Sequence, residues 1–367
     1  MRITRRDAIT RMAMAAVAAA VPPLQQPAAA RRQITVGGRR VRTVDAHAHT
    51  FVPAVAAAVS GTELEKSVAG SLKGPSTGSG QGNLVISDER LRAMDAQGID
   101  VEVLSINPYW YSADRAVAAR LIQVQNEGLA ALCLPKAGER RFVALATVAL
   151  QHPELAVEQL DEAFKRHGMR GVSLGASING EELAAPRFDP FWARVEQLGA
   201  LVFIHPQGVP QLAARLQGNG FLSNVIGNPL ETTIALSHLI FEGTLDRFPG
   251  LKICGAHAGG FMPSYNGRFD QGCVAFPANC PGKLKRKPSD YLKQMYFDSM
   301  VFNGEGLRHL VAEYGSDHIV MGTDYPFPWT TTGRPHPLCS RTHQRRPHRN
   351  PWRESREDAA NPIKESW

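Results

Sequence analysis

From residue 42 onward the chain alternates short apolar runs with longer amphipathic stretches. The apolar runs, at 42–46, 101–106, 142–149, 171–174, 201–204, 251–255, 295–298 and 319–322, predict strands. The amphipathic stretches at 87–97, 113–134, 153–167, 190–198, 230–248, 288–293 and 304–314 repeat apolar residues at helical spacing and predict helices. Some open on cap-like residues: Ser87 ahead of Arg90-Leu91, and Asp189-Pro190. Eight strands alternating with helices predict an α/β fold, the (β/α)8 TIM barrel. No strand runs into a glycine-rich phosphate loop, which argues against a doubly wound open sheet.

Two stretches break the pattern. Residues 50–83 form a long connection after the first strand, with a Gly/Ser-rich tip at 73–82; in a barrel such a loop is expected to cover the active site. Residues 334–367 hold five prolines, seven arginines and only two large aliphatics, Leu338 and Ile363, so they offer no apolar face for an eighth helix. The eighth helix is therefore expected to be missing or abnormal. The tail is read either as the product of a frame shift near Thr332 or as a disordered basic extension.

At the other end, Thr4-Arg5-Arg6-Asp7-Ala8-Ile9 is a twin-arginine pattern, followed by a mildly apolar run from Met12 to Val21 and by Ala28-Ala29-Ala30. Residues 1–30 read as a twin-arginine signal peptide, with a periplasmic mature protein starting near Arg31. The apolar run is too short to span a bilayer, and no membrane span is expected. The barrel domain is assigned to 31–333 and the abnormal tail to 334–367.

Charge adds little to this picture. The net +7 sits in the ends: residues 1–32 carry +5 and 334–367 carry +4, leaving −2 between them. A nucleic-acid partner is not expected. The five cysteines are odd in number and contain no CxxC, which argues against a structural zinc cluster or a disulfide framework, although Cys273 and Cys280 could pair after export.

Chemistry concentrates at strand ends. His47 and His49 end the first strand two residues apart and so point the same way; His205 ends the fifth strand, His257 the sixth and Asp324 the eighth. In a (β/α)8 barrel these ends converge on one face. Three neutral imidazoles with a carboxylate suit one zinc ion, Zn(2+), per subunit, leaving a position for water. The fourth strand, Gly171–Gly175, has no Lys or Glu to bridge a second metal. Asn107, at the end of the second strand, is a candidate substrate-binding residue, and Tyr109, Trp110 and Tyr111 either line the pocket or pack in the core.

From about Val41 to Trp329 the ordered set of HxH, Ile204-His205-Pro206, His257-Ala258-Gly259-Gly260, Phe297-Asp298-Ser299, Val301-Phe302-Asn303 and Gly322-Thr323-Asp324-Tyr325-Pro326-Phe327-Pro328 resembles the amidohydrolase superfamily. Within it the chain is similar to the aminocarboxymuconate-semialdehyde decarboxylase branch. The resemblance implies a zinc-dependent nonoxidative decarboxylase of a small unsaturated or aromatic carboxylate. It implies His47, His49, His205 and Asp324 as ligands and His257 as the acid/base. It also implies that Arg268 grips a substrate carboxylate in the site of a neighbouring subunit, hence a homodimer. The branch tends to place a further arginine after the first strand, and this chain has none between Arg42 and Arg90. A metal-dependent hydrolase opening a lactone, amide or ester ring is the alternative on the same residues. A truncated relative that binds metal without turnover is the third reading.

Overall fold

A computed structural model describes residues 30–72, 84–136, 138–280, 284–327 and 329. Among the described residues, eight strands are parallel, in chain order β1 (Val44–His49), β2 (Val101–Ser105), β3 (Phe142–Ala144), β4 (Gly171–Gly175), β5 (Leu201–His205), β6 (Lys252–Gly255), β7 (Tyr296–Asp298) and β8 (Ile319–Val320); two short antiparallel pairs, Thr35–Val36 with Arg39–Arg40 and Ser177–Ile178 with Glu181–Glu182, stand apart. The helices between and around them are α1 (Asp88–Gln97), α2 (Arg115–Leu132), α3 (Pro153–His167), α4 (Asp189–Leu198), α5 (Gly227–Phe241), α6 (Met262–Ala275) and α7 (Gly304–Tyr314). Three of them start on capping side chains: Ser87 accepts from Arg90 N, Asp114 from Val117 N and Asn303 from Gly306 N.

The strands pair in parallel as β1-β2-β3 and β4-β5-β6-β7-β8. Single parallel bridges join the two sheets at both edges, Ala146 with Val172 and Ala48 with Tyr325. Backbone bonds reinforce these seams: Ala146 N to Gly171 O at 2.8 Å, Ala46 N to Met321 O at 2.8 Å and His49 N to Tyr325 O at 2.7 Å. The eight strands thus close into the expected cylinder, with each helix packed outside.

Two apolar regions hold it. The larger lies between strands and helices and includes Leu104, Leu129, Leu160, Trp192 and Leu239. The smaller gathers Leu145, Phe203, Cys254 and Ala256 with Val103, Tyr296 and Val320. Phe203 lies two residues before His205 and is in register with Ser173 and Cys254, so this cluster plugs the barrel beneath the strand ends.

Several expectations need correction. The connection after β1 is not a plain loop: Val55–Ala58 and Glu65–Leu72 are helical, and Val55, Val59, Leu64 and Val68 are buried. Its Gly/Ser tip lies outside the described residues. The expected helix at 230–248 breaks at Gly243, which adopts φ 72°, into α5 and Thr244–Arg247. Strand 142–149 shrinks to three residues plus the bridge at Ala146. Helix α6 was not anticipated, because Gly267, Gly272 and an exposed Tyr265 and Val274 blur its apolar stripe. Cys273, within α6, is disulfide-bonded to Cys280, with Cα atoms 5.0 Å apart. The signal peptide and the tail after Thr332, including the eighth-helix expectation, lie outside the described residues.

At the base of the barrel, the Arg31 guanidinium pairs with Asp95 at 2.8 Å, Asp100 at 3.2 Å and Glu139 at 2.6 Å.

The two glycines after His257 have a packing reason. A Cβ on Gly259 would sit 2.5 Å from the Phe297 ring, and one on Gly260 would sit 2.2 Å from Pro229 O and 2.5 Å from Thr233 Oγ1. Gly260 also has φ 67°, a left-handed conformation that costs a side chain strain. Gly260→Ala is expected to destabilise the fold by roughly 2–4 kcal/mol through strain and overpacking, read as a lower urea midpoint.

Candidate active site

β1 carries His47 and His49 to the rim, and their Nε2 atoms lie 3.1 Å apart. Both face Asp324 Oδ1, at 3.2 Å from His47 and 2.8 Å from His49. His205 completes the group, its ring centroid 4.7 Å from that of His49 and 5.2 Å from that of His47. The candidate donor atoms of His47, His49, His205 and Asp324 all lie within 4.8 Å of one another, and all four residues are buried.

The surrounding bonds set which ring atoms are free. His47 Nδ1 meets Asp298 Oδ2 at 2.7 Å, so Nδ1 carries a proton and Nε2 is the atom left to face a metal. His49 Nδ1 lies 3.2 Å from Ser105 Oγ, whose hydroxyl donates to Ala48 O at 3.2 Å. The Ser105 oxygen therefore accepts from His49 Nδ1–H and leaves that Nε2 free as well. The Asp298 carboxylate also accepts from His257 N and Ala258 N at 2.8 Å each and from Met300 N at 3.1 Å. It thereby holds His257 and Ala258 in left-handed conformations, φ 53° and 58°. Asp45 performs the matching task at the other seam, accepting from His47 N at 3.1 Å, Thr323 N at 3.1 Å and Thr323 Oγ1 at 2.5 Å.

Electrostatics favour a cation. Burial opposes ionisation of Asp324, but the charge on His47, foremost among the surrounding histidines, holds it well below the usual carboxylate range. Burial depresses His205 and His49, keeping their imidazoles neutral. Against burial, Asp324 and Asp298 push His47 up to about 10, so a metal at its Nε2 must displace a proton. Burial, helped by the charge of Glu102, pushes Asp45 up to about 7. Three imidazoles and an ionised carboxylate converging from rigid strand ends fit one divalent metal ion.

His257 stands apart from the four. Its Nε2 lies 3.7 Å from the other oxygen of Asp324, Oδ2, and its side chain is 13% exposed where His47 is fully buried. A cavity of about 380 Å³ opens beside the four donors, lined by Asn107, Tyr109, Gln207, Asn224, Asn228 and Phe327 together with His205 and Asp324. That volume suits a small ligand. Asn107 Oδ1 is buried with no protein partner, so it is available to a ligand. Gln207 is braced by its side-chain bond to Pro108 O, and Glu231 on α5 accepts from Gln207 N at 2.5 Å and Gly208 N at 2.6 Å.

The site expected from sequence is therefore assembled at His47, His49, His205, His257, Asp324 and Asn107. Arg268 is not in this cavity of its own chain; it lines a separate, mostly apolar cavity with Phe241, Phe269 and Phe276. The aromatic triplet divides: Tyr109 lines the site, Trp110 is buried with Nε1 donating to Val148 O, and the Tyr111 hydroxyl accepts from Gly175 N. Asp298, Asn224, Asn228 and Gln207 were not anticipated. Asp298 had a signal, a carboxylate closing a strand; the others lie on segments without one.

The Amidohydrolase family profile matches residues 44–336. The chain belongs to the amidohydrolase family. It is 32% identical over 243 residues to the 2-amino-3-carboxymuconate-6-semialdehyde decarboxylase of Dictyostelium discoideum, which covers 66% of this chain and 67% of that protein. It is 31% identical over 258 residues to a gamma-resorcylate decarboxylase of Rhizobium sp., covering 66% of this chain and 78% of the relative. The crystal structure of the 5-carboxyvanillate decarboxylase of Sphingomonas paucimobilis superposes with a TM-score of 0.68 at 27% identity, over 78% of this chain and 89% of that one. This amidohydrolase thus falls in the carboxy-lyase branch, with a barrel and a metal-binding His/Asp site in place.

Asp298 is the bond partner that fixes the His47 tautomer. Asp298→Asn is expected to lower divalent-metal affinity 10- to 100-fold in a chelator competition titration. An affinity within a factor of two of wild type would show that the tautomer is set elsewhere.

Proposed function

We propose that the chain is a nonoxidative decarboxylase of a small aromatic or unsaturated carboxylate, working with one zinc ion held by His47, His49, His205 and Asp324. The observation that carries this is the two-sided use of Asp324. Oδ1 faces the paired imidazoles, while Oδ2 faces His257, which alone of the histidines at the centre is partly exposed. The bound ion would supply a Lewis acid that orients the substrate's oxygens. Zinc is favoured over manganese by the preponderance of nitrogen donors.

The remaining work falls to the chain. His257 delivers a proton from Nε2 to the carbon that bears the carboxylate, and the carbon–carbon bond then breaks to release carbon dioxide. The electron pair of that bond returns to the unsaturated system. Tyr109 and Phe327 flank a planar substrate, and Asn107, Gln207 and Asn224 present neutral hydrogen-bonding groups to its substituents. Arg268, which does not line the site cavity of its own chain, is assigned to a neighbouring subunit's site in a homodimer. The periplasm is the proposed location, supported by the twin-arginine pattern and by the Cys273–Cys280 bond, which suits an oxidising compartment.

Metal-loaded mature protein is expected to release carbon dioxide from at least one member of a panel of hydroxybenzoates and unsaturated carboxylates. His257→Asn should keep its metal and lose 10²- to 10⁴-fold in kcat. Ring opening of lactones or amides without carbon dioxide release would move the assignment to a hydrolase. For the location, Arg5→Lys with Arg6→Lys is expected to leave the precursor in the cytoplasm; fractionation that finds it still exported would remove the signal assignment.

A further inference from the structure

The barrel closes where the ends of β1 and β8 meet, and two of the four ligands stand on that seam. His49 lies on one side and Asp324 on the other, 2.8 Å apart. The side chain of Arg90 runs into this seam from the first turn of α1 and is fully buried. Its Nη1 donates to the backbone oxygen of His49 at 2.6 Å. Its Nε donates to Glu102 Oε2 on β2, also at 2.6 Å. Its guanidinium carbon lies 4.8 Å from the ring centroid of Tyr325, the residue after Asp324. One planar group therefore touches the backbone of one ligand, the neighbour of a second, and a carboxylate on the adjacent strand.

Stability alone does not account for this arrangement. A buried ion pair gains little over apolar residues of equal volume, because both charges lose their hydration. What the guanidinium adds is direction: its donors are fixed in one plane, so the His49 carbonyl and the Tyr325 ring are held at set positions relative to each other. We propose that Arg90 is a positioning residue of the metal centre, setting the separation of His49 and Asp324 from outside the cavity. This rests on the metal-site reading above.

The test uses Co²⁺, which reports affinity and coordination geometry through its visible absorption without any turnover. Metal-free wild type, Arg90→Lys, and the double variant Arg90→Met with Glu102→Leu are titrated with Co²⁺ and melted without it. The double variant removes both charges and fills the space with apolar side chains, so its metal-free melting temperature is expected to stay near that of wild type. Its Co²⁺ affinity is expected to fall at least tenfold, with a shifted spectrum. A folded double variant with wild-type affinity and spectrum would overturn the proposal, because filling the seam would then suffice. Should the double variant fail to fold, Arg90→Lys decides, since it keeps the charge beside Glu102 and loses the planar fork. A tenfold loss there supports positioning, and unchanged affinity overturns it. If wild type itself takes up no Co²⁺, the metal-site reading fails first and this proposal falls with it.

Discussion

The arrangement turns on the buried carboxylate of Asp298. It accepts four hydrogen bonds, from the His47 ring and from the backbone of His257, Ala258 and Met300. With both oxygens satisfied it stays ionised although fully buried, the hydrogen bond and charge of His47 holding it below the usual carboxylate range against burial. The same group therefore chooses the tautomer of a ligand and bends the chain where His257 turns its Nε2 toward Asp324 Oδ2. A neutral side chain in its place could not satisfy an imidazole N–H and three backbone N–H groups equally well.

Around it the site is built by trading buried charges in pairs. Asp324 is matched by the histidines and Glu102 by Arg90, while Asp45 is held by hydrogen bonds from Thr323 and the backbone of β1. An unpaired charge at this depth would cost several kcal/mol, so each group is useful only while its partner is in place. That interdependence makes the rim of the barrel rigid. Rigidity is what a site of four converging donors needs, since a metal tolerates little error in ligand position. The plug of Phe203, Leu145 and Cys254 supports the same end from below, with the Phe203 ring 4.9 Å from that of His47.

The open side of the rim is less constrained. Its wall is made of carboxamides and two aromatic rings, supported by loops that Glu231 and Pro108 brace from behind. Burial pushes Glu231 up to about 7, which marks the cost of bracing a loop with a carboxylate. Variation in this wall would change the accepted ring substituents without disturbing the donors, which belong to strands. The separation of chemistry on strands from recognition on loops is the general economy of the barrel.

The sequence by itself determined the eight strand positions, the sharing of one face by His47 and His49, and the set of strand-ending donors. These depend on spacings of two or about three and a half residues, which local geometry dictates. It did not reveal α6, whose glycines and exposed apolar residues carry no clear period, nor the helices within the connection after β1, and it left the bond between Cys273 and Cys280 as one possibility among others. Only closure of the barrel decided which buried polar groups meet. His47 finds Asp298 across 251 residues of sequence, and Arg90 finds the His49 carbonyl across 41. Such partners are chosen because a buried charge must be paired with whatever the fold brings within reach, and no local pattern records that choice.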